Sequence, residues 1–316
     1  MKTAKTKKTI THSVLTLGNF DGTHLGHQKI LKNIIERAEA LGCASVVYTF
    51  DPHPVKVVAP HKDLPLITTF QEKAGLFADF NIDYLVCARF TKEFASQHPD
   101  KFVKDELVDR LKVREIWVGH DYAFGKGRQG TAEYLKQLGK RFGFDVYVVP
   151  VYRKCGMVVS SSNIRKLVLS GDVKKASSLL GRFYSISGKV VKGKNRGKQI
   201  GFPTANIETQ NELIPKKGVY AVICEIFPFR EKDSKKTIQK QAAVNIGSNP
   251  TFEKGDELNI EAHVIDFSGN LYNKNMRLYF IQRIRDEVKF KNPLELTHQI
   301  EKDVRCAERL LRRKHL

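Results

Sequence analysis

The sequence lacks the marks of a secreted, membrane-bound or zinc-stabilised protein. Its five cysteines are scattered among 316 residues without a CxxC pair, which disfavours a disulfide framework and a cysteine zinc site. No apolar run reaches the roughly 18 residues that a membrane-spanning helix needs. The basic start of the chain has no apolar core of the kind found in signal peptides. We therefore expect a soluble, cytoplasmic protein with no membrane partner.

The sequence is also poor in acidic residues relative to basic ones, with a formal net charge of +20. An excess of this size is typical of nucleic-acid-binding proteins when aromatic residues are interleaved with the basic ones. Here the basic clusters are spread along the chain and contain few aromatic residues. We expect a solvated basic surface with a few phosphate-binding groups, and no nucleic-acid partner.

The pattern of apolar residues divides the chain into two predicted domains, residues 1–182 and 183–316. In the first, strand-like runs alternate with helical segments such as His24 to Leu41, which predicts an α/β fold with a doubly wound parallel sheet. In the second, strand-like runs follow one another directly, which predicts a small antiparallel β-barrel. A C-terminal helix is expected to begin at Pro293. The charged segment 230–241 is expected to be a hairpin loop.

The stretch GNFDGTHLGH, residues 18–27, lies where the first predicted strand passes into the first predicted helix. His24 and His27 fall on one face of the first helical turn, beside free backbone N–H groups and the positive end of the helix dipole. Asp21 and Gly22 predict a tight turn. Such a site suits a polyanionic ligand. The alternatives are a capped helix with two surface histidines and a zinc site, for which no third ligand is evident. Three glycines allow close approach to the backbone: Gly18, Gly22 and Gly26.

This stretch resembles the HxGH motif of the nucleotidyltransferase superfamily as it occurs in bacterial FAD synthetases. TFDPHP (49–54), VGHDYAFGKGRQG (118–130) and VSSSNIR (159–165) resemble the next three motifs of those enzymes. GKNRGKQIGFPTANI, KGVYAV, NIGSNPTF, IEAHVIDF and RIRDEVKF resemble, in that order, the riboflavin kinase module. The resemblance runs from about residue 13 to the C-terminus. With both sets of motifs in this order, the chain resembles the bifunctional riboflavin kinase/FAD synthetase family.

The resemblance implies two transfers that use ATP as co-substrate. In the first domain, FMN would join the AMP of ATP and expel pyrophosphate, giving FAD. The FMN phosphate is already an anion, so alignment and charge neutralisation suffice. In the second domain, the γ-phosphate of ATP would move to the ribityl 5′-hydroxyl of riboflavin, giving FMN, and a hydroxyl benefits from a general base. The implied cofactor is Mg²⁺, the implied ligands are riboflavin, FMN and ATP, and we expect a monomer or weak homo-oligomer.

For the first domain, the resemblance implies that His24 and His27 contact the ATP phosphates and are catalytic. Arg165 is expected to reach phosphate, and the serines that start its helix are expected to form an anion site. Ser162 stands where the family usually has Thr, which also carries a hydroxyl. The other implied ATP-binding residues are Gly18, Asn19, Phe20, Asp21, Gly26, Asp121, Arg128, Ser160 and Ser161.

For the second domain, the resemblance implies that Glu261 is the general base and that Thr204 and Asn206 bind the metal. The strand pattern alone makes Glu261 an exposed carboxylate between apolar neighbours. Two residues depart from the family: Asn249 stands where Arg is common, and Asn273 where Gly is common, although Asn tolerates positive φ. Gly193 and Gly197 are expected in a mobile loop over the phosphates. The implied nucleotide- and flavin-binding residues are Gly193, Gly197, Gly201, Pro203, Asn245 and Arg285.

Two short motifs suggest other nucleotide-binding folds. GKGRQG (125–130) matches GxGxxG, but it follows a late strand rather than the first one. GKVVKGKN (188–195) nearly spells a P-loop, but Asn195 replaces the Ser/Thr that would bind Mg²⁺, and no helix is expected after it. Two alternatives to the bifunctional enzyme stay open: a basic RNA-binding protein that keeps the nucleotidyltransferase fold, and a chain with only one of the two activities.

Overall fold

The computed structural model divides the chain into two compact units, Met1–Ser161 and Ser162–Leu316. The predicted boundary after residue 182 falls inside the second unit and stays a prediction. The second unit includes the helix Val173–Leu180, which packs against two strands of the barrel that follows it. The structure describes residues 2–3, 10–193, 197, 200–227, 237–249, 257–312 and 314.

The first unit is built on a parallel sheet of six strands. The strands in chain order are β1 Lys2–Thr3, β2 Ser13–Leu17, β3 Ala44–Asp51, β4 Tyr84–Arg89, β5 Val113–Gly119, β6 Ala123–Phe124, β7 Gly130–Thr131, β8 Asp145–Val149, β9 Arg153–Lys154 and β10 Met157–Val158. Their order in the sheet is β1-β4-β3-β2-β5-β8, and every pair in it is parallel. Strands β6 with β7 and β9 with β10 form separate short pairs. The predicted parallel sheet is confirmed, and β1 was not predicted.

Helices cover both faces of this sheet because the side chains of the central strands alternate between two cores. Val14 and Val47 face a core that includes Leu31 and Phe77, while Leu15 packs with side chains of the opposite face. This is the doubly wound arrangement that the alternation of strands and helices predicts. The helices are α1 Leu25–Ala40, α2 Pro54–Val58, α3 Phe70–Asp79, α4 Lys92–Ala95, α5 Pro99–Phe102, which continues as a π-helix over Val103–Arg110, and α6 Ala132–Phe142.

The second unit contains a closed antiparallel barrel followed by a C-terminal helix, as predicted, and it also contains two helices that precede the barrel. Its strand order is β11-β12-β15-β14-β13-β16. Strand β12 was not predicted, because the Gly and Pro residues before it suggest only a loop. The prediction that the charged segment is a hairpin loop is partly wrong, because residues 238–241 belong to β14. Residues 230–236 lie outside the described residues. The elements are α7 Ser161–Leu169, α8 Val173–Leu180, β11 Tyr184–Val191, β12 Ala205–Thr209, β13 Gly218–Ile226, β14 Ile238–Asn249, β15 Glu257–Val264, β16 Asn275–Arg285 and α9 Pro293–Leu311.

Helix α9 covers part of the outer surface of the barrel. Its Ala307 and Leu311 pack with Ala221, Ile223 and Ala243 of β13 and β14. The alternate residues of β13, from Tyr220 to Cys224, are fully buried in the barrel interior. The polar motif residues lie on β12 and β15, which are two other strands of the barrel. Their side chains face outward.

Candidate active sites

The loop Gly18–His27 follows β2 at the carboxyl edge of the parallel sheet, where α/β folds bind their ligands. His24 is the N-cap of α1, and its side chain accepts a hydrogen bond from the backbone N–H of His27 at 3.3 Å. The two imidazole rings stack with their centroids 3.6 Å apart and their planes 14° apart. The rings therefore share one face of the first helical turn, as their spacing predicts.

The hydrogen bond to His24 also sets the protonation pattern of its ring. A neutral imidazole that accepts a hydrogen bond at Nδ1 carries its own hydrogen on Nε2. His24 thus has a donor N–H on the side of the ring away from the helix backbone. Together with the N-terminus of α1, this donor gives the loop the chemistry needed to bind phosphate oxygens.

The backbone of this loop is strained. Phe20 has φ of 52° and Thr23 has φ of 38°, a region that residues with a side chain adopt at a cost of about 1–3 kcal/mol each. Thr23 donates its hydroxyl hydrogen to the Phe20 carbonyl at 3.2 Å. The buried Phe20 ring packs edge-on against Phe77 and His27, with centroids 5.7 and 5.1 Å away. Packing and hydrogen bonds therefore hold a conformation that the isolated loop would leave.

Asp21 holds the loop to two other segments of the first unit. Its carboxylate accepts hydrogen bonds from the backbone N–H of Ile67 at 2.9 Å and of Thr68 at 3.3 Å. Its carbonyl accepts the hydroxyl hydrogen of Ser161 at 2.8 Å. Asp21 is only 5% exposed, and its carboxylate makes these bonds within the protein. Its carboxylate therefore holds the loop in place. The contact with Ser161 joins the first part of the VSSSNIR motif to the HxGH loop.

Two glycines of the loop make room for neighbouring rings. A Cβ on Gly26 would lie 3.2 Å from the His24 ring, and a Cβ on Gly18 would lie 3.2 Å from the Phe20 ring. Both distances are tight, so a side chain at either position would require the neighbouring ring to shift by a few tenths of an ångström. Glycine at both positions therefore lets these rings pack closely against the backbone.

The remaining residues implied for the first domain lie at different depths. Asp121 and Arg128 are exposed and follow β5, the strand beside β2, so they lie beyond the same carboxyl edge. Ser160 is half-buried and directly precedes α7, on which Ser162 is exposed and Arg165 is 9% exposed. Asn19 is half-buried, and its carbonyl accepts a hydrogen bond from Thr49 of the TFDPHP motif at 3.3 Å.

Sequence reasoning missed Lys73, on the buried face of α3. Its Nζ donates to the Asn19 carbonyl at 3.1 Å and to the Thr49 hydroxyl at 3.2 Å, and the residue is only 8% exposed. The signal was present in the sequence, since Lys73 occupies the helical face defined by Phe70 and Phe77 at spacings of three and four. A charged residue in such a row is uncommon, because burial of a charge requires compensating contacts.

In the second unit, three polar side chains form a row across adjacent strands of the barrel. Glu261 on β15 pairs with Asn206 on β12 and with Asn245 on β14. Directly paired residues project from the same face of a sheet. Glu261 is half-buried, and its chain neighbours Ile260 and Ala262 are buried, as the strand pattern predicts. The barrel thus brings together three residues that are far apart in the sequence.

Two further polar residues, which sequence reasoning missed, border this row. Asn259 donates an amide hydrogen to a Glu261 carboxylate oxygen at 2.6 Å. It pairs across the strands with Gly247. A Cβ on Gly247 would lie 2.5 Å from a carboxylate oxygen of Glu287, so Glu287 occupies the space that this glycine leaves open. The row therefore carries one oriented carboxylate and a second carboxylate nearby.

The glycine segment before β12 reaches the same row. A Cβ on Gly193 would lie 2.0 Å from the Asn206 amide nitrogen, and a Cβ on Gly197 would lie 2.2 Å from the Phe202 carbonyl oxygen. Gly201 has φ of 87° in the turn that follows. The Pro203 carbonyl is 2.9 Å from His263 Nδ1 on β15. The expected mobile loop itself, residues 194–196 and 198–199, lies outside the described residues.

We predict that Gly193→Ala lowers riboflavin kinase kcat/KM about 10- to 100-fold, because a displacement of about 1 Å in a reacting site can have that effect. The new Cβ would displace the Asn206 side chain from the row. FAD formation from supplied FMN should be unchanged. Gly75→Ala, where a Cβ has no neighbour within 4 Å, is the control. Kinase activity of Gly193→Ala equal to that of the control would contradict this prediction.

Arg285, which the resemblance implies as a ligand-binding residue, forms an ion pair with the C-terminal helix. Its Nε and Nη2 donate to both carboxylate oxygens of Asp303 on α9, at 2.7 to 3.0 Å. Its guanidinium carbon lies 5.8 Å from the centroid of the Phe290 ring. The Asp303 side chain is 6% exposed and that of Arg285 is 21% exposed. This bidentate pair attaches α9 to the end of β16.

We predict that Asp303→Asn destabilises the second unit by about 3 kcal/mol, because it leaves a partly buried guanidinium without its charged partner. The Tm of this unit, measured by calorimetry, should fall. Asp109→Asn, which breaks the exposed pair with Lys104, is the control and should change stability by less than about 1 kcal/mol. If Arg285 serves the ligand alone, Asp303→Asn will keep its Tm and change only the kinase KM.

The two departures from the family pattern have different outcomes. Asn273 has φ of 64° and donates its backbone N–H to the Val190 carbonyl at 2.9 Å. The expectation that Asn accommodates positive φ at this position is confirmed. Asn249 ends β14, and its side chain lies outside the described part of the chain.

Comparisons with known proteins match both halves of the chain. Residues 6–163 match the family model of FAD synthetase, and residues 180–311 match that of riboflavin kinase. The bifunctional riboflavin kinase/FMN adenylyltransferase of Escherichia coli (strain K12) is 35% identical over 290 residues, covering 92% of this chain and 90% of that protein. The chain belongs to the bifunctional riboflavin kinase/FMN adenylyltransferase family. The predicted family, the enzyme class and the order of the two domains are confirmed.

Two further similarities extend over almost the whole chain. The bifunctional riboflavin kinase/FMN adenylyltransferase of Listeria monocytogenes serovar 1/2a is 36% identical over 294 residues, covering 92% of this chain and 90% of that protein. A crystal structure described as a macrolide-efflux protein from Streptococcus pneumoniae has a TM-score of 0.86 at 31% identity, covering 98% of this chain and 97% of that one. Within the described residues, no helix of this family member is long and apolar enough to cross a membrane.

Proposed function

We propose that this protein phosphorylates riboflavin to FMN in its second unit and adenylylates FMN to FAD in its first. The observation that carries the proposal is that each half of the chain matches one of the two enzymes and assembles the polar residues of its own motifs. The RNA-binding alternative and the single-activity alternative would each leave one of these assembled sites without a purpose.

For adenylyl transfer, the residues at the edge of the sheet bind and orient ATP. The His24 and His27 imidazoles donate hydrogen bonds to phosphate oxygens, and the N-terminus of α1 adds its dipole. An oxygen of the FMN phosphate attacks the α-phosphorus of ATP, the bond to the β-phosphate oxygen breaks, and pyrophosphate leaves. Because the attacking oxygen is already an anion, these residues act by alignment and by neutralising charge. Asp121, Arg128, Ser162 and Arg165 are assigned to nucleotide binding by the family resemblance.

For phosphoryl transfer, Glu261 accepts the proton of the ribityl 5′-hydroxyl as its oxygen attacks the γ-phosphorus of ATP. The half-buried position of Glu261 and its hydrogen bond from Asn259 support this role, because a general base must be held at its substrate. Asp286 is a poor alternative. Its hydrogen bonds with Arg283 and Lys216 lower its pKa to about 2, so it is a weak base. Asn245, beside Glu261, is assigned to the nucleotide or the flavin.

The implied Mg²⁺ fits the oxygen donors of the second unit. Mg²⁺ commonly binds one or two protein oxygens together with substrate phosphates and waters. The Thr204 hydroxyl and the Asn206 amide oxygen are donors of this kind, and Gly193 leaves space beside Asn206 that a Cβ would fill. Among the described residues, no group of three or more His, Cys, Asp or Glu could hold a metal by itself. When bound, the ion would neutralise charge on the phosphates.

The setting of the reaction completes the proposal. We propose a monomer or weak homo-oligomer in the cytoplasm, with riboflavin, FMN and ATP as its ligands. The net charge of +20 is spread over clusters with few aromatic residues. Stacking of bases on aromatic side chains, which single-stranded nucleic acids commonly use, is therefore disfavoured.

One incubation tests both activities. The purified protein is mixed with riboflavin, ATP and Mg²⁺, and flavins are separated over time while pyrophosphate is measured. The expected result is FMN, then FAD with one pyrophosphate for each FAD. Accumulation of FMN without FAD would leave a kinase alone, and no change of riboflavin while supplied FMN becomes FAD would leave an adenylyltransferase alone.

A further inference from the structure

Lys73 is a buried charged residue that the proposed mechanism leaves unused. It lies on α3, a helix that contributes no residue to the family motifs quoted above. Its ammonium group nevertheless contacts two of those motifs, through the Asn19 carbonyl of GNFDGTHLGH and the Thr49 hydroxyl of TFDPHP. The Thr49 hydroxyl also donates to the same Asn19 carbonyl at 3.3 Å. Lys73 therefore joins the loop that follows β2 to the neighbouring strand β3.

The contact between Lys73 and Asn19 lies next to the strained part of the loop. Asn19 directly precedes Phe20, the first of the residues with strained positive φ, and the strained segment ends at the cap residue His24. Strained backbone persists only where its surroundings hold it in place. Asp21 is held from the other side by Ile67 and Thr68. Lys73 is the charged donor among these supports.

Two opposite electrostatic effects act on the pKa of Lys73, and the net result is a lowered pKa. Burial is the largest effect and lowers the pKa of Lys73, while Asp21 from the β2 loop, Cys87 from β4 and Asp51 at the end of β3 act in the opposite direction. The Lys73 amine thus lies near two carboxylates, those of Asp21 and Asp51, beneath a loop whose ligand is a polyanion. A neutral lysine would keep its length but would lose the charge-assisted hydrogen bonds.

We propose that Lys73 is a positioning residue for adenylyl transfer, whose buried ammonium group fixes the Asn19 carbonyl and thereby the strained loop that presents His24 and His27. This proposal rests on the proposed function of the first unit. It predicts that full turnover requires protonated Lys73, because the charged form makes the stronger hydrogen bonds to Asn19 and Thr49. Since burial lowers its pKa, this requirement should fail at a lower pH than for an exposed lysine.

The test compares Lys73→Met, Lys73→Arg and the unchanged protein in FAD synthesis from supplied FMN and ATP. Lys73→Met is expected to lower kcat about 10- to 100-fold with a smaller change in KM, because the loop is misplaced while its ligand contacts remain. Lys73→Arg should retain more activity than the Met variant. The alkaline decline of kcat should also move to higher pH in this variant, since a guanidinium does not lose its proton in this range.

Three controls separate this role from folding and from other titrations. Riboflavin phosphorylation by the same molecules should stay at its original rate, and Lys140→Met, which removes an exposed lysine of α6, should leave both activities intact. Cys87→Ser should keep the alkaline decline, which excludes the neighbouring thiol as its source. Wild-type kcat in folded Lys73→Met, or the same alkaline decline in Lys73→Arg, would overturn the proposal. Absence of FAD synthesis in the unchanged protein would instead contradict the proposed function.

Discussion

Glu261→Gln is expected to reduce riboflavin kinase turnover about 10²- to 10⁴-fold, the range typical of a lost general base. The amide keeps the size of the side chain and its place beside Asn206 and Asn245, but it cannot take the ribityl proton. Affinity for riboflavin should change little, because basicity matters in the transition state. The measurement is kcat at saturating riboflavin, with a thermal melt of the same sample.

The design of this experiment uses the second activity as an internal reference. FAD synthesis from supplied FMN should persist in Glu261→Gln, since its site lies in the other unit. Glu208→Gln, an exposed carboxylate of β12, is the matched control and should keep full kinase activity. A role in folding alone would lower the Tm and leave the turnover per folded molecule near its original value. That outcome would remove Glu261 from the mechanism.

His27→Ala is expected to lower FAD formation from supplied FMN about 10²- to 10³-fold, the loss typical of one donor to a developing negative charge. His27 is a cleaner choice than His24, because the His24 side chain also caps α1, and loss of a cap costs about 0.5–2 kcal/mol of stability. Riboflavin phosphorylation should continue at its original rate. The two activities are measured in parallel on one preparation.

A matched substitution keeps the histidine experiment interpretable. His12→Ala removes an exposed imidazole just before β2 and should leave both activities unchanged. His27 packs against the rings of Phe20 and His24, so the variant also needs a thermal melt. If both activities fall together in a folded protein, the division of labour between the two units is wrong. If neither falls, the ATP phosphates are held by other residues.

Much of the fold follows from local patterns. The alternation of strands and helices predicted the parallel sheet, and the direct succession of strands predicted the barrel, because these patterns reflect which side chains must face a core. The two histidines were placed on one face from their spacing of three. Strand β12 was missed because Gly and Pro residues interrupt the pattern just before it. The short edge strand β1 pairs in the sheet through only two residues.

The sequence by itself determined which motifs this protein carries, and hence its family and the order of its two domains. Only the tertiary structure decided how the motif residues are held. Lys73 meets Asn19 across 54 positions of the chain, and Arg285 is bound by Asp303 on another element. Likewise, Glu261 stands beside Asn206 because β12 and β15 are neighbours in the closed barrel. Such contacts depend on strand order and on the packing of helices, and neither leaves a local periodicity in the sequence.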